Sequence, residues 1–233
     1  MLKIAKTVAN YIKTHKYVLV ALYWPFHTVW YELLRAGMDR DTMVLMHSPL
    51  DDQIPFIEWF GIPYSVWFVY IAAVIIGSLV TSKRDFLRSH TLVFLCMMLP
   101  MVFCTAVPNG ISEAMRPDFA TLGRENLGTL IVQFIYSTDS PPTSVMPSMH
   151  CAVSVVLVFA VLQLSSLKGK PVPKICATVL SVLIILATVF IKQHSILDLI
   201  AGTSFGLVMG FAVLIAEKLY DRRKKKKAAT AAE

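Results

Sequence analysis

Six stretches of this chain, starting near Tyr17, Ile62, Thr91, Met149, Ile175 and Ser195, stay apolar over close to the ~20 residues that a helix needs to cross a bilayer. Backbone amides and carbonyls in hydrocarbon must be satisfied within their own segment, which a helix achieves. The stretches therefore predict an all-α, polytopic membrane protein, a bundle of six transmembrane helices. Composition points the same way: the chain is 56% hydrophobic with a mean hydropathy of +0.62, and its 16% of charged residues are too few to cover a soluble globule. The first stretch is the least regular, with Pro25, His27 and Glu32 inside it. Trp59, Tyr64, Trp67 and Tyr220 fall near segment ends, where aromatic rings favour the headgroup layer.

Charge sets the expected topology. Lys3, Lys6, Lys13 and Lys16, then Lys83, Arg84 and Arg88, then Lys168, Lys170 and Lys174, then seven residues of the tail make seventeen of the 22 basic residues. All lie on connections that an even number of spans places on one side, and basic residues in short loops stay cytoplasmic. Both termini are expected there, in a multi-pass protein of the plasma (cytoplasmic) membrane. The net charge of +7 then reads as a topology signal, with the tail "KLYDRRKKKK" resting on anionic lipids and not on nucleic acid. The expected organisation is one catalytic transmembrane domain over residues 1–217, with an interfacial lead-in at 1–16, a long outer loop at 108–147 and a basic tail at 218–233. Cys96, Cys104, Cys151 and Cys176 lie in apolar segments without metal-ligand spacing and read as buried small hydrophobes. His47 and His90 read as surface residues of connections.

The outer connections carry the chemistry. His150 falls in the first turn of the fourth span and His194 at the entrance to the sixth, which brings both to one face of the membrane. Intramembrane ionisable groups are expensive and mark sites. Asp198 follows His194 by four residues, one helical turn away on the same side, where a carboxylate fixes the imidazole tautomer. Pro147 and Ser148 are a helix start, and a helix N-terminus offers free N–H groups to an anion. With Arg116 and Lys192 nearby in topology, this set suits a phosphate.

The stretches "NGISEAMRP", "PSMH" and "ATVFIKQHSILD" resemble, in order and spacing, the three signature motifs of the type 2 phosphatidic acid phosphatase superfamily. The resemblance implies His194 as a nucleophile that forms a phosphohistidine, oriented by Asp198. It implies His150 as the acid for the leaving alkoxide and then the base for the acceptor, and Arg116 and Ser148 as phosphate ligands. It implies no metal and no cofactor. Two family cations are missing: Asn109 stands at the lysine of the first motif, and Ala187-Thr188 replace the Ser-Arg of the third. Met149 takes the glycine position of the second. Lys192, four residues after Thr188, is the expected replacement cation if the helix continues that far, and Asn109 is expected to give the phosphate a hydrogen bond.

The expected activity is metal-independent hydrolysis of a lipid phosphate at the outer membrane face. A weaker positive field also suits a phosphodiester, and "DDQIPFIEWFGIPYSVW" and "DSPPTSVMPSMHC" resemble the inositol phosphorylceramide synthase-like branch. Transfer of a phospho-headgroup between lipids is the alternative, and a noncatalytic lipid-binding or transport protein the third. The expected partners are a lipid phosphate or phospholipid and the bilayer.

Overall fold

The computed structural model describes residues 12–230; the lead-in at 1–16 thus lies largely outside the described residues. After a 3-10 helix over Lys16–Leu22 come α1 (Tyr23–Gly37), α2 (Gly61–Thr81), α3 (Lys83–Ala106), α4 (Leu127–Thr138), α5 (Met149–Leu162), α6 (Pro171–Phe190) and α7 (Ile196–Thr230). Two short strands, β1 (Val44–Leu45) and β2 (Asn109–Gly110), pair in parallel and join the loops that follow α1 and α3.

The helix starts follow local chemistry. Ser82 caps α3 by accepting from the Asp85 amide at 3.0 Å, and α4 opens on a reciprocal Asn126–Thr129 capping box. Pro171 begins α6, where its missing N–H costs nothing. The serine of the quoted "PSMH" caps α5, its hydroxyl accepting from the Cys151 amide.

Among the described residues four helices, Glu58–Thr81, Lys83–Ala106, Pro171–Phe190 and Ile196–Thr230, are long and apolar enough to cross a membrane. The chain is an integral membrane protein. The segment from Tyr17 is divided between the 3-10 helix and α1, and α5, with 14 residues, is shorter than the other expected spans. α5 is instead the hub of the bundle. Val153, Val156 and Leu157 on it are fully buried against α3, α6 and α7. The outer helices reverse the soluble pattern: Phe68, Val69, Ile76 and Val80 on α2 and Val208, Phe211 and Ile215 on α7 face outward. Lipid tails are as apolar as these side chains, so close packing, not exclusion of water, must hold the helices together. α7 comes close to α5 along Gly202, Gly206 and Gly210, where an added Cβ would meet Ser148, Ala152 and Phe159.

The α7 helix runs unbroken through the basic tail to Thr230. Near its far half, Arg88 bonds Glu217 at 2.8 Å, Asp85 at 3.3 Å and the Gln163 carbonyl at 3.1 Å, while Arg84 bonds Asp221 at 2.7 Å. Arg84 and Arg88 thus tie α3 to α7 at the end of the bundle opposite Ser148 and His194. Two expectations about burial are corrected. His90 lies inside α3, 2% exposed and packed on Phe86, because the helix begins at Lys83 and not near Thr91. Cys176 is exposed on α6, since that helix has an outward face.

Candidate active site

The site forms where α5 and α7 begin side by side. The Ser148 amide donates to the Asp198 carbonyl at 3.2 Å, which links the first turns of the two helices. His194 Nε2 lies 3.2 Å from Ser148 Oγ, and His194 Nδ1 lies 3.4 Å from Asp198 Oδ2. Asp198 also accepts from the Ser195 amide at 2.9 Å. A proton on Nδ1, the tautomer that the carboxylate favours, leaves Nε2 with its lone pair toward Ser148. All three residues are buried.

His150 stands beside this pair, its ring centroid 5.9 Å from that of His194. Tyr64 stacks on it at 4.4 Å and Trp67 packs at 4.2 Å, and both are buried. These two aromatics, expected at the headgroup layer, are enclosed by protein; they hold an imidazole in place, and Nε2 of that ring has no partner among the described residues.

Arg116 reaches the same place from the long loop. One guanidinium nitrogen donates to the Asp139 carbonyl at 2.9 Å and to Gln193 Oε1, and the group lies 4.2 Å over the Tyr136 ring. Tyr136 in turn donates to the Ile191 carbonyl at 2.6 Å. Arg116 Nε and Gln193 Nε2 are buried donors without a partner among the described residues. His150 Nε2, a third donor when it carries a proton, lies near the same corner, and a buried donor left unsatisfied costs about 1–3 kcal/mol. An anion would satisfy them.

Two expected ligands are engaged elsewhere. Asn109 donates to the Val107 and Met146 carbonyls at 2.8 and 3.3 Å, and its oxygen accepts from the Val145 and Met146 amides at 3.0 and 2.8 Å. It braces the backbone that leads into Ser148. α6 stops at Phe190, so Lys192 does not continue the face of Thr188; it has φ +53° and donates to the carbonyls of Asp51 and Ile54 at 2.7 and 2.6 Å. Burial holds its ammonium below the ordinary lysine range, with Asp51 and Asp52 pulling it back up. Both side chains thus bond backbone carbonyls, whereas Arg116 bonds Gln193, the residue next to His194.

Sequence reasoning missed Asp51, Gln193, Tyr64, Trp67 and Tyr136 as parts of this site. Gln193 was visible as the neighbour of His194, and Gly202-Gly206-Gly210 could have been read as a small-residue packing stripe. Asp51 had no local signal, because the partners that tie it to the site, Ser195 and Ile196, lie more than 140 residues away in sequence.

A cluster of buried polar side chains of this kind, at one end of an apolar helix bundle, belongs to an integral membrane protein. A model of the PAP2 superfamily matches residues 89–220, more than half of the chain, and the protein belongs to that superfamily of phosphatases and related phosphotransferases. No curated protein and no solved structure matches the chain. The matched region includes Arg116, Ser148, His150, His194 and Asp198; Asp51, Tyr64 and Trp67 lie before it.

Proposed function

We propose that this protein is a lipid phosphate phosphatase that works through a phosphohistidine on His194, without a metal ion. The observation that carries the reading is the setting of His194, between Asp198 and Ser148 and near the buried donors Arg116 Nε and Gln193 Nε2, which have no partner among the described residues. His194 Nε2 attacks phosphorus, and the P–O bond to the lipid breaks as His150, in its protonated form, gives its proton to the departing alkoxide. Neutral His150 then takes a proton from water; the oxygen attacks phosphorus, the P–N bond breaks, and phosphate leaves. Arg116, Gln193 and the first amides of α5 hold the phosphoryl oxygens. Tyr64 and Trp67 keep the His150 ring in line.

The reading extends to a single catalytic unit of six spans with both termini cytoplasmic, in the plasma membrane, the site facing outside. Its support is that Arg84 and Arg88 lie at the opposite end of the bundle from the site. Transfer of a phospho-headgroup is the second reading, favoured because Arg116, which bonds Gln193 next to His194, carries a single positive charge, which matches a singly charged diester better than a dianion.

The test is turnover by purified protein in detergent on a panel of lipid phosphates and phosphodiesters, scoring phosphate release and headgroup transfer together, with and without chelator. Release insensitive to chelator and abolished in His194→Ala is expected, with an acid-labile phosphoryl label trapped on the wild type. Absence of both activities across the panel would refute the enzyme readings.

A further inference from the structure

The structure assigns a positioning role in this reaction to Asp51, on the loop before α2, and Lys192, in the turn before α7, which act together; the inference rests on His194 being the nucleophile. The two residues grip the nucleophile's turn on both sides. Ahead of His194, Lys192 Nζ donates to the Asp51 and Ile54 carbonyls at 2.7 and 2.6 Å. Behind it, the Asp51 carboxylate accepts from the Ser195 hydroxyl at 2.6 Å and the Ile196 amide at 2.7 Å. The Ser48 amide, at 2.8 Å, fixes that carboxylate from the loop side.

The turn needs such support. Residues 191–195 connect α6 to α7 without regular structure, and the amides of Gln193 and His194 both donate to one carbonyl, that of Thr188, at 3.0 Å. Lys192 has φ +53°, a left-handed conformation that a lysine keeps only where its surroundings hold it. The Asp51 charge lies at the first turn of α7, where the helix dipole favours it. Ser195, held by Asp51, gives its amide to the same Asp198 carboxylate that faces His194 Nδ1. Moving Ser195 therefore moves the orienting group and the nucleophile together. Two of the three hydrogens of Lys192 are committed to loop carbonyls, so its charge holds backbone and is not aimed at a phosphate. The loop lies outside the region that matches the superfamily, which makes it an addition to the site from the N-terminal part of this chain.

The test uses the full chain in detergent, as wild type, Asp51→Asn, Lys192→Met and His194→Ala. The probes are a short-chain phosphatidic acid, a phosphomonoester, and a short-chain phosphatidylinositol, a phosphodiester. Amide exchange across 190–199 is followed in parallel. Both loop variants are expected to lower kcat about 10- to 100-fold, the scale of a misplacement near 1 Å. KM should stay within about threefold, and the factor should be the same for both esters, as for a residue that does not bind substrate. Exchange at Ile196 should accelerate while α5 keeps its protection. A KM effect in Lys192→Met that is larger for the monoester would overturn the proposal in favour of a phosphate ligand. Global loss of protection in both variants would overturn it in favour of a folding requirement. Wild-type kcat in Asp51→Asn beside an inactive His194→Ala refutes positioning alone, whereas an active His194→Ala refutes the nucleophile reading itself. The exchange measurement needs no turnover, and wild-type exchange at Ile196 in Asp51→Asn refutes the proposal on any substrate.

Discussion

One methyl group at Gly202 or Gly206 should part the two helices that carry the site. A Cβ on Gly202 would collide with the Ser148 carbonyl oxygen and stand 3.0 Å from the Ser148 nitrogen. A Cβ on Gly206 would stand 2.6 Å from the Ala152 carbonyl oxygen, about 0.8 Å inside the 3.4 Å at which ordinary contact begins. These neighbours are backbone atoms and cannot swing aside, so α5 must move away from α7. Ser148 and His150 travel with α5, while His194 and Asp198 stay with the head of α7. The 3.2 Å contact between Ser148 and His194 then leaves hydrogen-bonding range. A misplacement near 1 Å costs about 100-fold in rate, or about 2.7 kcal/mol of barrier, and the overpacking itself about 1–3 kcal/mol of stability. The assay is kcat for phosphate release in detergent, with thermal unfolding alongside. Gly77→Ala is the control, because nothing lies within 4 Å of its added Cβ; it should keep full activity and gain about 0.5–1 kcal/mol from the better helix former. Wild-type kcat in Gly202→Ala and Gly206→Ala, or an equal loss in Gly77→Ala, would refute the reasoning.

Asp198→Asn keeps the side-chain shape but removes the charge facing His194 Nδ1, and kcat should drop by about 100-fold or more, measured together with the yield of trapped phosphohistidine. Gln193→Glu replaces a buried donor with a negative charge beside Arg116; the ratio of kcat/KM for a lipid phosphomonoester over a phosphodiester should fall, and an unchanged ratio would remove Gln193 from the site. Arg88→Met strands Asp85, 2% exposed, and Glu217 without their shared partner, for an expected loss of about 3 kcal/mol by unfolding in detergent while the chemistry at the far end keeps its kcat. His47 Nε2 lies 3.0 Å from Asp52, and that bond raises its pKa above 6.5. The charged pair is thus held at pH below the ordinary histidine range and lost as pH rises through the raised pKa; proton NMR titration should show the value moving back toward 6.5 in Asp52→Asn.

Much of the molecule was legible in its order of residues. Apolar run lengths identify a helical membrane protein because the requirement to satisfy backbone groups in lipid is local. The four-residue step from His194 to Asp198 places two side chains on one helix face, and the structure holds them 3.4 Å apart. Ser148 reads as a helix cap for the same local reason. The segment at Tyr17 and the fourth stretch were harder, since hydropathy reports that a run is apolar without saying whether lipid or protein surrounds it. α5 is apolar because it is the core of the bundle. His90 was misjudged through a helix boundary set several residues late.

The side-chain directions needed the tertiary structure. Asn109 and Lys192 stand in the right stretches for phosphate ligands, yet backbone carbonyls of other segments take their donors, and nothing in their own neighbours in sequence announces that. Tyr64 and Trp67 have the composition of interfacial aromatics and the position of a cradle for His150. Asp51 meets Ser195 and Ile196 from more than 140 residues away in sequence. By itself the sequence determined the membrane class, the superfamily motifs and the pairing of residues within one helical turn, because those depend on spacing along the chain. Which donors are left free near His194 and which hold the loops was decided by packing, because a hydrogen bond is directional and its partners can come from anywhere in the fold.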